Sequence, residues 1–376
     1  MALQASGPIS ASQIRNEFAG VRQVSFSQYF RHAEPTDGLE DFSATYTSAN
    51  NSGVPTSGAI KFSDFYSKYR EVMFKVGSVN VRENANTSDL FSTYWATNVP
   101  KRLKNNGTIG ATSTANVALT VSADISNTLV IDNIGSIQGA GGAAGIASVT
   151  ENVRNGGTGG TAILLNSRCS INNTGTIYGG GGGGGAGTKG GTGGKGANGS
   201  YLTEYYSGGY QSTSGCNSGD RTDSTVTFSN GVTLYNCTQK IYSKTDTTGG
   251  TGGTGGDGGN GGVGAGYGQT ATNAPALDTI GGPVTAPALG VAGGPTSGDA
   301  PTGGATAGSV GGNGGVGGNG AGFGSTGGNG TQGGTGTNGS VGVTPVGTGG
   351  AAGYYLYLSR NVSWIAKGTT AGNISD

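Results

Sequence analysis

The chain has 376 residues, 82 of them glycine, with 20 basic and 20 acidic side chains, one histidine and three cysteines. Between Gly249 and Gly353 the charged side chains are Asp257, Asp278 and Asp299, and a surface without a basic patch excludes a nucleic-acid partner. Ten prolines exclude a collagen, which needs strict Gly-X-Y and abundant imino acid, and no stretch reaches the ~20 apolar residues of a membrane span.

The opening MALQASGPIS has neither a basic n-region nor an apolar core, so no secretion signal is expected and synthesis in a cytoplasm is. Met1–Arg70 carries one pattern three times: ISASQI from Ile9, VSFSQY from Val24 and IKFSDF from Ile60. Each sets an apolar residue ahead of a Ser suited to N-cap a short helix. Units this short bury little, so they are expected to dock on something larger; the alternative is a small self-contained helical module.

Residues 72–138 read as a β-rich domain. Val117, Leu119 and Val121 alternate at period two and Leu129-Val130-Ile131 is a short apolar run, both predicting strands. Ser88 before Leu90, Phe91, Tyr94 and Trp95 predicts one capped helix. A repeat then ties this domain to the glycine-rich remainder of the chain. Ile131-Asp132-Asn133-Ile134-Gly135-Ser136-Ile137 leads into Gly139–Gly142, and Ile171-Asn172-Asn173-Thr174-Gly175-Thr176-Ile177 leads into Gly179–Gly185. A weaker copy runs from Trp364 to Thr370. Gly157–Gly160 precedes Ile163-Leu164-Leu165, and Gly347–Gly350 precedes Tyr354-Tyr355-Leu356. Glycine segments joined repeatedly to strands predict a folded unit, not a linker.

Within residues 139–376 glycine pairs recur every third place, clearest in Gly249–Gly264 and again in Gly311–Gly318. Three residues per turn is the count of polyproline II, which has no internal hydrogen bonds. Runs of this kind predict rods packed side by side, N–H of one against C=O of another. Gly252, Gly255, Gly258, Gly261, Gly314 and Gly317 are the expected contact glycines. Two inserts, 198–248 and 265–301, interrupt the rods and are expected at their ends.

Catalytic chemistry is sparse. His32 lies in a polar segment, and one His with three Cys assembles no nucleophilic triad. Asp220 and Asp223 sit beside Arg221, a weak basis for a glycosidase pair. GxGxxG matches arise by chance among 82 glycines, and the variable third positions around Asp257 do not repeat as a calcium motif. Neither catalytic residues, cofactor nor metal are therefore expected. Cys216 and Cys237 can pair in an oxidising setting or remain two reduced thiols; Cys169 follows an apolar run and is expected in the core. Binding chemistry remains: Tyr201, Tyr205, Tyr206, Tyr210, Tyr267 and Phe323 fall in breaks between rods. Aromatic rings there offer a flat contact face for a protein loop or a sugar, or else cap the rod ends.

The segments SGPISASQIRNEF, SGAIKFSDFYSKY, LFSTYWA, NNGTIG, INNTGTIYGGGGGGG and AAGYYLYLSRNVSWIAKGTTAG resemble, in that order, tailed-bacteriophage tail and tail-fibre adhesins with glycine-rich receptor-binding regions. The resemblance implies a mostly β and irregular fold in three parts. These are a virion-attachment module (1–71) presenting Ile9, Phe26, Phe62 and Phe65, a β-rich neck (72–138) and a sandwich of polyglycine II helices (139–376). It further implies a receptor on the bacterial surface, an outer-membrane protein or glycan, reached through tip loops. Other tail proteins are implied as partners, with homotrimeric assembly left open. Two further readings are a purely structural fibre or baseplate protein and an extracellular glycine-rich surface protein.

Overall fold

A computed structural model of the chain describes residues 3–18, 29–30, 36–40, 53–147, 155–195, 199–212, 221–227, 233–247, 257–274, 311–336, 340–341 and 345–376. The fold is mostly β and irregular, with few helices.

At the N-terminus Ser10 caps α1 (Ala11–Glu17): its hydroxyl accepts from the Gln13 N–H at 3.2 Å, and the Gln13 side chain accepts from the Ser10 N–H at 2.7 Å. Ser25, with Phe26, lies outside the described residues. The third copy departs from expectation, because the Asp64 carboxylate takes the Lys61 N–H at 2.7 Å. A 3-10 turn therefore spans Phe62–Phe65, with Ser63 inside it and not at its cap. Ile14, Phe18, Tyr29, Val54 and Phe65 bury one another, with ring centroids 5.9–6.3 Å apart. The segment thus has a small core of its own. Phe65 is inside it, Ile9 packs at its margin, and Phe62 stays 41% exposed.

Beyond it the chain winds into a three-faced parallel β-helix. β1 (Gly38–Glu40) pairs antiparallel with β2 (Val72–Val76), which opens the first rung and is followed by β3 (Val81–Glu83) and β4 (Ala85–Asn86). The second rung is β5 (Lys101–Asn105), β6 (Thr108–Gly110) and β7 (Val117–Val121), and the third is β8 (Leu129–Asn133), β9 (Ser136–Gln138) and β10 (Thr161–Leu165). The fourth starts with β11 (Cys169–Asn173) and β12 (Thr176–Tyr178). The chain then leaves through glycine runs and a separate antiparallel sheet of β13 (Gly199–Ser212), β14 (Arg221–Thr227) and β15 (Thr233–Thr247). It returns as β16 (Tyr354–Tyr357), and β17 (Val362–Ala366), β18 (Thr369–Ala371) and β19 (Asn373–Ile374) make the fifth rung. The sheets therefore cross the 138/139 boundary: strands from 161–178 and 354–374 complete the neck. Every rung-to-rung pairing is parallel, as Leu103↔Ile131↔Ile171 and Ile109↔Ile137↔Ile177 illustrate. These side chains stack in fully buried columns.

The repeated Asn-X-Gly marks one corner of the coil. The buried Asn105 Nδ2 donates to Asn133 Oδ1, and Asn133 Nδ2 to Asn173 Oδ1, both at 2.7 Å, while Asn173 Nδ2 donates to Lys367 O at 2.6 Å. The ladder stops at Val76, which is in register with Asn105 and leaves Asn105 Oδ1 without a partner. α2 (Thr87–Phe91) packs Phe91 into the core, and Trp95 follows it. Asn86, not Ser88, is its cap, accepting from the Ser88 N–H at 3.2 Å, because β4 ends one residue before the helix begins. Below it Lys101 is fully buried, its Nζ donating to the carbonyls of Thr97 and Val99 at 2.8 Å each. Burial pulls its pKa down to about 8.

Glycine runs leave and rejoin the β-helix between its second and third faces. Residues 139–147 and 179–195 run outward from β9 and β12, and 155–160 and 345–353 run inward to β10 and β16. Between them, 257–265 and 311–322 run inward and 325–336 outward. The run starting at Gly179 is the axis of this body. Its N–H groups at Gly180 and Gly183 donate to Gly160 and Gly157; those at Gly181, Gly184 and Gly187 to Ala265, Gly262 and Gly259; and those at Gly182, Gly185, Thr188 and Gly191 to Ser325, Gly328, Thr331 and Gly334. Its carbonyls accept, again every third residue, from 139–145, 312–324 and 347–353. Six runs thus surround one, and each neighbouring pair in the ring is bonded in turn. Seven consecutive glycines (Gly179–Gly185) occupy the axis because every direction a Cβ could take is filled with backbone: at Gly183 it would collide with the Ala143 carbonyl. On ring runs the third residue faces out, as with Asn313, Val316 and Asn319.

This packing sets the expected cost of substitution. Gly183→Ala should destabilise the protein by about 3 kcal/mol in denaturant titration, and Val316→Ala by about 0.5 kcal/mol at most. A depressed Lys101 pKa means that the unfolded chain binds the extra proton between about pH 8 and the free-lysine value. Unfolding free energy should therefore rise with pH across that window, and the rise should be missing in Lys101→Met.

Candidate functional site

The glycine body has two unlike ends. At the end against the β-helix the chain turns twice through the same motif, Ala265-Gly266-Tyr267-Gly268 and Ala321-Gly322-Phe323-Gly324. Each turn needs a left-handed residue after its aromatic, met by Gly268 at φ +67° and Gly324 at φ +64°. The Tyr267 ring lies over Gly110, where a Cβ would strike it, and its hydroxyl meets Glu83 Oε1 at 3.0 Å. That contact and desolvation raise the Tyr267 pKa, desolvation most. The Phe323 ring lies 5.2 Å from that of Tyr178 on β12. Glu83, Gly110 and Tyr178 share one outward column of the β3–β6–β12 face, so both aromatics clamp run ends to the neck.

Away from the β-helix the axial run is described as far as Lys195 and the ring runs begin or end at Ala147, Asn155, Asp257, Gly311, Gly336 and Pro345, with Ser340 still bonded to Thr192 and Gly336. The first insert opens there. The second begins at the neck-side turn, climbs beside Val263 and Gly320 through Thr272, and leaves the described residues after Ala274. Tyr201, Tyr205, Tyr206 and Tyr210 all lie on β13, in register with Thr245, Ile241, Lys240 and Asn236 of β15. Period two gives Tyr201 and Tyr205 one strand parity and Tyr206 and Tyr210 the other. Gly199↔Thr247 closes the base of this hairpin, and β14 flanks β15 from Arg221↔Thr238 to Thr227↔Thr233. Of the six candidate aromatics, Tyr267 and Phe323 thus lie at run ends against the β-helix and the other four on β13.

Among the expected contact glycines, Gly258, Gly261 and Gly317 would each drive a Cβ into a neighbouring carbonyl, of Gly187, Gly184 and Asn260 respectively. Gly314 is half-buried; Gly252 and Gly255 lie outside the described residues, as do His32, Asp220 and Cys216. Cys237 is on β15 opposite Gly209. Cys169 is buried, its thiol pushed up to about 12. No group of three or more His, Cys, Asp and Glu among the described residues could hold a metal ion, and the exposed Asp257 sits 3.6 Å from Lys189 Nζ.

One set of working residues is not anticipated by the glycine period alone. Side-chain oxygens of Asn155, Asn260, Asn319 and Asn329 accept backbone N–H groups of Thr348, Ala147, Ala274 and Gly349 at 2.8–3.0 Å. Thr272 and Thr331 do the same for Val263 and Val316. Outer runs have no backbone partner on their exposed side, so these side chains supply it. The signal is nonetheless present in the sequence: an amide or hydroxyl at the outward third position beside a run of glycine.

Tyr267→Ala and Phe323→Ala should each cost about 2 kcal/mol. Amide exchange should quicken at Gly139 and Gly179 while Gly187 and Gly191 stay protected; uniform exchange along the axis would count against a clamp.

The family of the phage tail fibre adhesin Gp38 matches residues 71–286, more than half of the chain, starting at the first rung. No curated protein and no solved structure matches. The chain belongs to the family of the phage tail fibre adhesin Gp38, proteins of the virion tail.

Proposed function

We propose that the chain reads the bacterial surface through the far end of the glycine body, binding non-covalently and without catalysis. One observation carries this reading: the axial run that starts at Gly179 leads away from the β-helix into an antiparallel sheet whose first strand carries four tyrosines. The runs act as polyglycine II helices, a reading supported by their hydrogen bonds at three-residue spacing. The N-terminal unit attaches to other tail proteins, with the exposed Phe62 as its apolar contact. The target is an outer-membrane protein or surface glycan. Tyr201, Tyr205, Tyr206 and Tyr210 are the contact residues, whereas the clamp geometry of Tyr267 and Phe323 supports an internal role for those two.

Excising Gly199–Thr247 whole and joining the ends with a short Gly-Ser link removes the hairpin without stranding half of its ladder. The variant should keep its melting temperature and lose adsorption to susceptible cells. Normal adsorption by a folded variant would favour a structural fibre role or a contact elsewhere.

A further inference from the structure

The β-helix carries a groove remote from the far end of the glycine body. It encloses about 310 Å³ at the corner between the third and first faces, lined by Thr128, Leu129, Arg168, Cys169, Ser170, Arg360, Asn361, Val362 and Ser363. Three successive rungs build it. Cys169 pairs with Val362, and Ser170 with Val130, so the residues just before β8, β11 and β17 stack along the axis at the ~4.8 Å spacing of neighbouring strands. Arg168 immediately precedes β11 and Arg360 stands two residues before β17, both exposed.

No carboxylate lines the groove. Neither arginine joins an ion pair among the described residues, whereas Arg82 pairs with Asp37, and Arg102 with Glu71 and Asp132. The Asp376 carboxylate is engaged by the Ser359 hydroxyl and is not part of the lining. Two arginines on adjacent rungs line one groove that holds no carboxylate, and on a chain of zero net charge they form a local excess of positive charge. An oxyanion is the group that such an excess attracts, and guanidinium forks suit phosphate and carboxylate.

The rest of the lining indicates what carries the oxyanion. Leu129 and Cys169 form a buried apolar floor, and burial keeps the thiol protonated, so it adds no negative charge. Thr128, Ser170 and Ser363 offer hydroxyls, and Asn361 is held by its Nδ2 donating to Leu165 O at 2.7 Å, leaving its Oδ1 as an acceptor. An apolar floor ringed by hydroxyl and amide groups suits a pyranose, and the volume is at the small end for ligand sites, one sugar in size. We propose that this groove binds a single sugar bearing a phosphate or a carboxylate, a lateral contact to acidic surface glycan. The site is independent of the far-end hairpin.

Calorimetric titration of the full chain with glucose 6-phosphate, glucuronic acid, glucose and inorganic phosphate tests this and separates the two anion sources. At least one of the two acidic sugars should saturate; glucose should not, and inorganic phosphate should bind more weakly. Arg168→Gln and Arg360→Gln should each weaken binding about tenfold, the double variant should abolish it, and Arg360→Lys should restore part. The hairpin-excised chain should bind as the full chain does. Equal binding of glucose, unchanged binding by the folded double variant, or no saturation by either acidic sugar would overturn the proposal. Inorganic phosphate binding as tightly as glucose 6-phosphate would overturn its sugar component.

Discussion

A glycine run with three residues per turn cannot bond to itself, and each peptide group in it must find a partner on another run. This constraint organises the molecule. It demands neighbours close enough for backbone to meet backbone, which leaves little room for side chains on the contact surfaces, Ala186 and Thr188 being the buried ones that continue the axis. In the middle of the body that surface is the whole circumference, hence the unbroken Gly179–Gly185. On the ring it is most of the circumference, hence one outward side chain in three.

The neck answers the complementary problem of where such runs begin. A parallel β-helix ends its second-face strands at one corner, rung above rung, so runs departing from β9 and β12 start side by side and bonded, as Gly139 N–H to Tyr178 O shows. The asparagine ladder fixes the preceding corner, and the two aromatic turns tie returning runs to the same wall. A sliding run of glycine could move by three residues without losing a backbone bond. Fixed starts, fixed turns and the Asn and Thr side chains that bridge outer runs remove that freedom.

Much of this is legible in residues. Period three announces packed runs, and the Asn-X-Gly repeat announces equivalent strands leading into glycine. The pairing of Ile163 with Leu356 shows why two distant glycine segments precede apolar strands: β10 and β16 are adjacent rungs. Closure stays hidden. A linear reading places the neck before the glycine region, whereas its fourth and fifth rungs use residues up to Ile374. Sequence separation carries no information about which strand lies on which when every connection is a crossover. The two aromatic turns are partly legible: Tyr267 and Phe323, each between glycines, share the motif of a cap at a run end, whereas the tyrosines of 201–210 do not. The groove between Arg168 and Arg360 cannot be read at all, since nearly two hundred intervening residues separate its arginines.

The glycine body buries peptide groups and very little hydrocarbon. Heat-capacity change on unfolding comes from exposing apolar surface, and peptide exposure works against it. Per residue this body should therefore have a small, even near-zero, heat-capacity increment, where the β-helix with its columns of isoleucine and leucine has an ordinary one. Its free-energy curve with temperature flattens accordingly, and cold weakens it far less than it weakens a hydrophobic core. The part from which both inserts depart would then keep its shape in cold water as in warm, while the limits of the molecule on cooling would be set by the β-helix.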